Sequence, residues 1–324
     1  GLNLDVLLMT ALFQPLAEMD EAVNLTDHTR WPAFAHALVS TAIEEPLAER
    51  HIAATIATAI IEDATSNAVR IQYEESPYPR WVVLGEPVQE SVPGHLNRLY
   101  QAYDPRSSPK CTDTLVAGCG SGRHALVVAQ RDPSARVVAI DLSVASLSHA
   151  TRKAREHGIE NVEFRHMDIL DVKQMDERFA VIESFGVLHH MREPAKGLAA
   201  LRQVLLPGGA MKLALYSRKA RHLVNEARAT IDRLQLGARR EDIRALRARI
   251  FGGEEASLEG LFDSSDFYAS SACRDLLFHV QEHQYLAPDI ETLLTQNDLN
   301  LLGFYFTNES IPERYLAQYP DDPD

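Results

Sequence analysis

The stretch TLVAGCGSGRHALVVAQ, residues 114–130, decides the fold. A short apolar strand runs into Gly118, Gly120 and Gly122, and a helical pattern follows at once. Glycines at such a junction let the backbone turn tightly and leave the unpaired N–H groups of the helix open to a ligand. A GxGxG run is weak alone, so its neighbours have to carry the reading. Nineteen residues beyond Gly122, ARVVAIDLS ends a second strand on Asp141, whose carboxylate can accept hydrogen bonds from two ribose hydroxyls. Asp141 can also serve the N-terminus of the helix after Ser143, and the two roles are compatible.

Outward from this core, strands alternate with helices. Strand patterns cover 114–117, 136–140, 162–164, 179–184, 211–216 and 299–306, with helical stretches at 143–157 and 194–204. Such spacing is that of βαβ crossovers and predicts an α/β, Rossmann-like, doubly wound and mostly parallel sheet. The third strand ends in FRHMDIL, where Asp168 and Ile169 can meet an amino group and a ring face. The fourth ends in VIESFGVLHH, and LLPGG precedes the fifth.

Together these pieces resemble the class I S-adenosylmethionine-dependent methyltransferases over about 112–306, in family order. The resemblance implies that S-adenosyl-L-methionine is the cofactor. Ala117, Gly118, Cys119, Gly120 and Gly122 then cradle its methionine part, Asp141 and Leu142 hold the ribose, Asp168 and Ile169 hold adenine, and Glu183 with Ser184 borders the methionine side. Many members carry an acid two residues before the first glycine. Val116 stands there, so a neighbour such as Glu183 replaces that acid or affinity is reduced. ESFGVL in place of an NPPY-like sequence disfavours base or glutamine methylation and leaves an oxygen, carbon or aliphatic nitrogen acceptor open.

YEESPYPRW (73–81), LVAGCGSG, ESFGVLHH and LALYS resemble more narrowly a bacterial subgroup whose methyltransferases are often joined to tetratricopeptide repeats. No fixed-period repeat is visible. On this reading the chain is a piece of something longer, and the strand that pairs with 299–306 lies beyond Asp324. Residues 1–72 read as a helical region, 73–108 as an extended arm and linker, and 109–324 as the cofactor-binding domain, with a helical insertion at 218–270. Tyr73, Tyr78, Arg80 and Trp81 either close over the cofactor and line the acceptor pocket or dock the helical region on the sheet.

Candidates for a general base are His189, His190 and Tyr78; the paired histidines equally suit a structural role. His279-Val-Gln-Glu-His283 forms an H-x-x-E-H pattern that on a helix would put two histidines on one face for zinc, the rival enzyme class. A third ligand is missing from the pattern, and no metal is expected. Two further alternatives are a non-catalytic regulatory binder of S-adenosylmethionine or S-adenosylhomocysteine and an NAD-dependent oxidoreductase.

The 324 residues carry 46 acidic and 32 basic side chains, a formal charge of -14 that disfavours bulk nucleic-acid binding. That charge is uneven: 218–250 holds ten basic against four acidic residues, and 251–324 two against fifteen. Glu241 and Asp242 precede Arg244 and Arg247 at the spacing of intrahelical ion pairs, which suits a solvated lid or a dimer contact. Cys111, Cys119 and Cys273 form no CxxC pair, and no apolar run reaches the roughly 18–20 residues of a membrane span. The expectation is a cytoplasmic enzyme acting on a small molecule or peptide, without nucleic-acid or membrane partners and with a homodimer as its candidate assembly.

Overall fold

The structure, a computed structural model, describes residues 4–75, 77, 81–100, 102–306, 308 and 310–320. Helices α1 (Leu4–Phe13), α2 (His36–Val39), α3 (Glu45–Ala53), α4 (Ala64–Glu75) and α5 (Val92–Leu99) precede the sheet. The chain then alternates β1 (Thr114–Ala117), α6 (Arg123–Arg131), β2 (Val137–Asp141), α7 (Val144–Glu156), β3 (Val162–His166), β4 (Phe179–Phe185), α8 (Pro194–Val204) and β5 (Leu205–Ala214). Five further helices close it: α9 (His222–Arg233), α10 (Arg240–Phe251), α11 (Ser270–Phe278), α12 (Ala287–Thr295) and α13 (Ser310–Gln318).

All strand pairs are parallel, in the order β3-β2-β1-β4-β5. Successive side chains leave a strand on opposite faces, so the sheet's apolar residues sort into two layers. Leu115, Ala117, Val138 and Ile140 meet Leu198 and Leu201 of α8 on one face. Val116, Val137 and Ala139 meet Ala125 and Val128 of α6 and Leu147 of α7 on the other. The helices after β5 have a core of their own, around Val224, Ile243, Leu246, Phe267 and Leu277.

The expected strand at 299–306 does not form. Those residues have no regular structure, and Leu301, Phe304 and Tyr305 are about half exposed. Both segments line one cavity of about 1190 Å³, and among the described residues no ladder joins 299–306 to β5. Only side chains reach across, as where the Lys212 ammonium lies 4.2 Å from the Tyr305 ring centre.

At the other boundary, α4 carries Tyr73 through to Glu75, so Tyr73 belongs to a helix and not to an extended arm. The helix stops where Ser76 precedes Pro77, a step that disfavours further helical geometry. Tyr78 and Arg80 lie outside the described residues. Beyond α10, α11 spans Ser270–Phe278 and packs into the same core as α9 and α10. Other arginines of the insertion make inter-element pairs: Arg221 and Arg228 reach Glu282, and Arg233 and Arg249 reach Glu255. Inter-element pairs of this kind tie the insertion to itself and to the segment behind it.

The N-terminal region is docked by charge on α7. Arg152 pairs with Glu45 at 2.7 Å and with Glu49 at 2.9 Å, and His149 meets the same Glu49 oxygen at 2.9 Å. Glu74 of α4 accepts hydrogen bonds from the Val144 and Ala145 amides at 2.5 and 3.2 Å, an anion at the N-terminus of α7. Replacing Glu74 by alanine is expected to cost about 1 kcal/mol, read by urea unfolding. An unchanged midpoint would show that the amides of α7 find equivalent partners without it.

Candidate active site

One cavity of about 430 Å³ opens where β1, β2, β3 and β4 end at their C-terminal edges. That is the usual ligand position in an open α/β sheet, and the size suits a small-molecule cofactor. Gly118, Cys119 and Gly120 form one wall, Asp141 and Leu142 follow from the end of β2, and Asp168 and Ile169 from the end of β3. The sequence therefore brings seven of its eleven cofactor residues to one surface.

Gly118 has φ +74°, and a Cβ there would stand 2.2 Å from a Val187 methyl. Only glycine keeps the wall this low. Gly122 serves otherwise: at φ +83° it begins α6, and a Cβ would meet the Cβ of Ala150 at 2.3 Å. It brings α6 against α7 and does not line the cavity. Ala117 is fully buried in β1, and Ser184 donates to the Ala117 carbonyl at 2.9 Å; neither lines the cavity.

Asp141 accepts from the Gly120 amide at 2.7 Å and from the Ser143 amide at 2.9 Å, so it fixes the glycine turn and supports the start of α7 together. Burial pushes its carboxyl up to about 6. Asp168 accepts from the Leu170 amide at 3.0 Å and is raised by burial too.

Glu183 has a different place from the one expected. It is buried and lies outside the cavity wall, yet the strand register sets it beside Val116, where many class I members carry an acid. Burial alone would raise it; His124 at 2.7 Å, Arg131 at 3.5 Å and Lys212 hold it down at about 2. His124, which carried no assignment from the sequence, lies between it and the cavity and lines the latter. Trp81 docks instead of covering the cofactor. Its Nε1 donates to the Ser121 carbonyl at 3.0 Å, and its ring lies among His149, His157 and Lys153.

Of the base candidates, His190 lines the cavity. Its Nδ1 lies 2.7 Å from the Gln281 carbonyl, which places the ring proton on Nδ1, and burial lowers it to about 4. His189 is buried against Tyr216 and His190, does not line the cavity and is pushed by burial to about 2. A group so hard to protonate and out of reach is ill placed as a base. The H-x-x-E-H pattern is not on a helix, because α11 stops at Phe278. Its residues are committed elsewhere: Glu282 to Arg221 and Arg228, and His279 stacked on His190 with ring centres 3.5 Å apart. Among the described residues no group of three metal-ligating side chains converges.

Several further lining residues carry no assignment from the sequence. Ser66 and Val69 join Tyr73 on one face of α4, Tyr216 follows β5, and Asp275 comes from α11. The spacing 66, 69, 73 is that of a single helical face, a signal available in the sequence. Asp275 carried no local signal.

Residues 110–244 match the protein-family model described as a methyltransferase domain. An uncharacterised protein of Synechococcus sp. is 30% identical over 277 residues, 80% of this chain and 64% of its own length. The ubiquinone biosynthesis O-methyltransferase of Leptothrix cholodnii is 31% identical over 134 residues, 41% of this chain and 54% of its own. Among solved structures, PKMT2 from Rickettsia typhi in complex with AdoHcy has a similar fold, with a TM-score of 0.53 at 20% identity over 76% of this chain and 50% of that one. The chain thus spans less than two thirds of the length of these relatives. The sheet order is that of the class I methyltransferase fold, and the glycine wall lies within the residues that match the methyltransferase-domain model.

Proposed function

We propose that the chain acts as an S-adenosylmethionine-dependent methyltransferase on an oxygen, carbon or aliphatic nitrogen of a small molecule or peptide. The observation that carries this is a single cavity in which Gly118, Gly120, Asp141 and Asp168 stand opposite Tyr73, His190, Tyr216 and Asp275. The first set offers a low glycine wall and two carboxylates for a ribose and an amino group. The second set gives an aromatic and polar surface for an acceptor. The cofactor supplies a methyl group already activated on a sulfonium. The protein's work is then to position the acceptor, exclude water and manage a proton.

Kinship with the bacterial subgroup joined to tetratricopeptide repeats rests on the motif string from YEESPYPRW to LALYS. A cytoplasmic location rests on the three free thiols, Cys111, Cys119 and Cys273. No helix among the described residues is long and apolar enough to cross a membrane.

Calorimetry with S-adenosylmethionine, S-adenosylhomocysteine and NAD tests the cofactor, with binding of the first two expected. Binding of NAD alone would overturn the reading. Transfer of labelled methyl groups to a cell extract then separates an enzyme from a regulatory binder, and fractionation of the label gives the acceptor class.

A further inference from the structure

Asp275 and Tyr73 are 202 positions apart and meet in the wall of the cavity, where the Tyr73 hydroxyl donates to the Asp275 carboxylate at 2.6 Å. One residue comes from the N-terminal helix α4 and the other from the insertion, so two separate parts of the chain close on the methyltransferase sheet at this point. Asp275 is 9% exposed, and among the described residues no lysine, arginine or histidine forms an ion pair with it. Burying a carboxylate without a cation is costly, and one tyrosine hydroxyl satisfies only part of its acceptor capacity. The remaining lone pairs belong to a group that lines the cavity.

His190 has the same character. It uses Nδ1 on the Gln281 carbonyl, which leaves Nε2 as an acceptor. His279 stacks behind it, with its Nε2 3.4 Å from the Tyr73 oxygen. Arg221 lies over the Tyr216 ring at 3.8 Å, but its guanidinium is taken by Glu282. Asp275 and His190 both present acceptors to the cavity, which complements a nucleophile that brings a proton of its own.

Resting on the methyltransferase reading above, we propose that Asp275, held by Tyr73, receives the proton of an acceptor that attacks through O–H or N–H, so that carbon is not the methylated atom. The acceptor's lone pair forms the new bond to the methyl carbon as the carbon–sulfur bond breaks, its electron pair staying on sulfur. The O–H or N–H bonding pair stays on the acceptor atom, and its proton passes to the Asp275 carboxylate and from there to water. Burial pushes Asp275 up to about 6, with Asp266 and Glu282 adding to the rise and Tyr73 and Arg221 opposing it. His279 and His190 also face this wall, and burial keeps both neutral above pH 5. Methyl transfer therefore gains activity with pH along a limb near 6, as the carboxylate forms.

Asp275→Asn and Tyr73→Phe test the proposal with two probes, S-adenosylhomocysteine and sinefungin, which carries an ammonium-bearing carbon in place of the methylsulfonium. Asp275→Asn is expected to keep its affinity for S-adenosylhomocysteine but to lose about tenfold for sinefungin, whose ammonium extends toward the acceptor side. Labelled methyl transfer to a cell extract, run at saturating S-adenosylmethionine so that the cofactor-side Asp141 does not set the profile, should fall on the order of 100-fold, and the limb near 6 should vanish. Tyr73→Phe keeps the carboxylate and loses the bond that lowers it, so the limb should move to higher pH, which a merely structural residue would not cause. An unchanged ratio of sinefungin to S-adenosylhomocysteine affinity in Asp275→Asn, a retained limb, or label found on carbon would each overturn the proposal. Failure of the wild-type protein to bind either probe would instead refute the methyltransferase reading on which it rests.

Discussion

Gly118→Ala is expected to abolish cofactor binding while leaving most of the fold in place. Two costs combine at this position. The backbone has φ +74°, where a side chain costs about 1–2 kcal/mol, and the new Cβ would stand 2.2 Å from Val187, an overlap that costs a further 1–3 kcal/mol or so. Val187 is itself part of the cavity wall, and Gly118 is hydrogen-bonded through its amide to Ile140 at 2.8 Å. Relief therefore has to come by moving the glycine turn or Val187, and either movement changes the surface that faces the cofactor. Affinity for S-adenosylhomocysteine should drop on the order of 100-fold or more by calorimetry. Gly253→Ala separates the two costs, since Gly253 has φ +76° with nothing within 4 Å of a built Cβ. That variant should lose stability by about 1 kcal/mol and bind as the wild type does. A Gly118→Ala protein with unaltered affinity would show that the low wall at Gly118 is not what admits the ligand.

The parallel sheet and its ligand edge were legible because each rested on local chemistry. Gly118, Asp141 and Asp168 each follow a strand in a short window, and crossover handedness leaves little freedom in how those strand ends assemble. Glu183 shows where local reading stops. Its sequence position suggests both a cofactor contact and a replacement for the acid that β1 lacks; the strand register sets it beside Val116 and behind His124, a placement that only the pairing of β1 with β4 decides. The segment 299–306 reads as a strand from its apolar residues, but a strand exists only with a ladder partner, and the sheet ends at β5. Asp275 was illegible for a related reason. Nothing near SACRDLLF marks an aspartate for catalysis; only the docking of α11 against α4 brings it to Tyr73, and that docking depends on the separate core of the insertion. The balance of ten basic to four acidic residues in 218–250, read as a solvated lid, is in part the far side of the buried Glu282, which takes two of those arginines.

The acceptor wall should also make the protein acid-labile in a defined window. His189, His190 and His279 are in mutual contact or one ring apart, all buried, and burial lowers them to about 2, about 4 and about 2. In the unfolded chain each takes up a proton near pH 6.5, whereas the folded protein takes up none until far lower. Between those limits the unfolded state binds more protons, so stability is fully present above about 6.5 and falls as the pH drops. At pH 5 each histidine forgoes about 2 kcal/mol on this basis. Asp141 and Asp275 act in the opposite sense, because burial raises both to about 6 and the folded state binds their protons first. They return about 1.4 kcal/mol each at pH 5. The histidines prevail, leaving a net loss of roughly 3 kcal/mol between pH 7.5 and 5 and a fall in Tm of at least about 5 °C. His189→Phe keeps a flat ring beside Tyr216 and cannot take a proton in the unfolded state, so it should remove about a third of the histidine contribution and narrow the gap between the two pH values. Thermal unfolding of both proteins at pH 7.5 and 5 gives the answer. A Tm that holds or rises on acidification would mean that these histidines are protonated in the folded protein, and hence that water reaches the wall where Asp275 and Tyr73 meet.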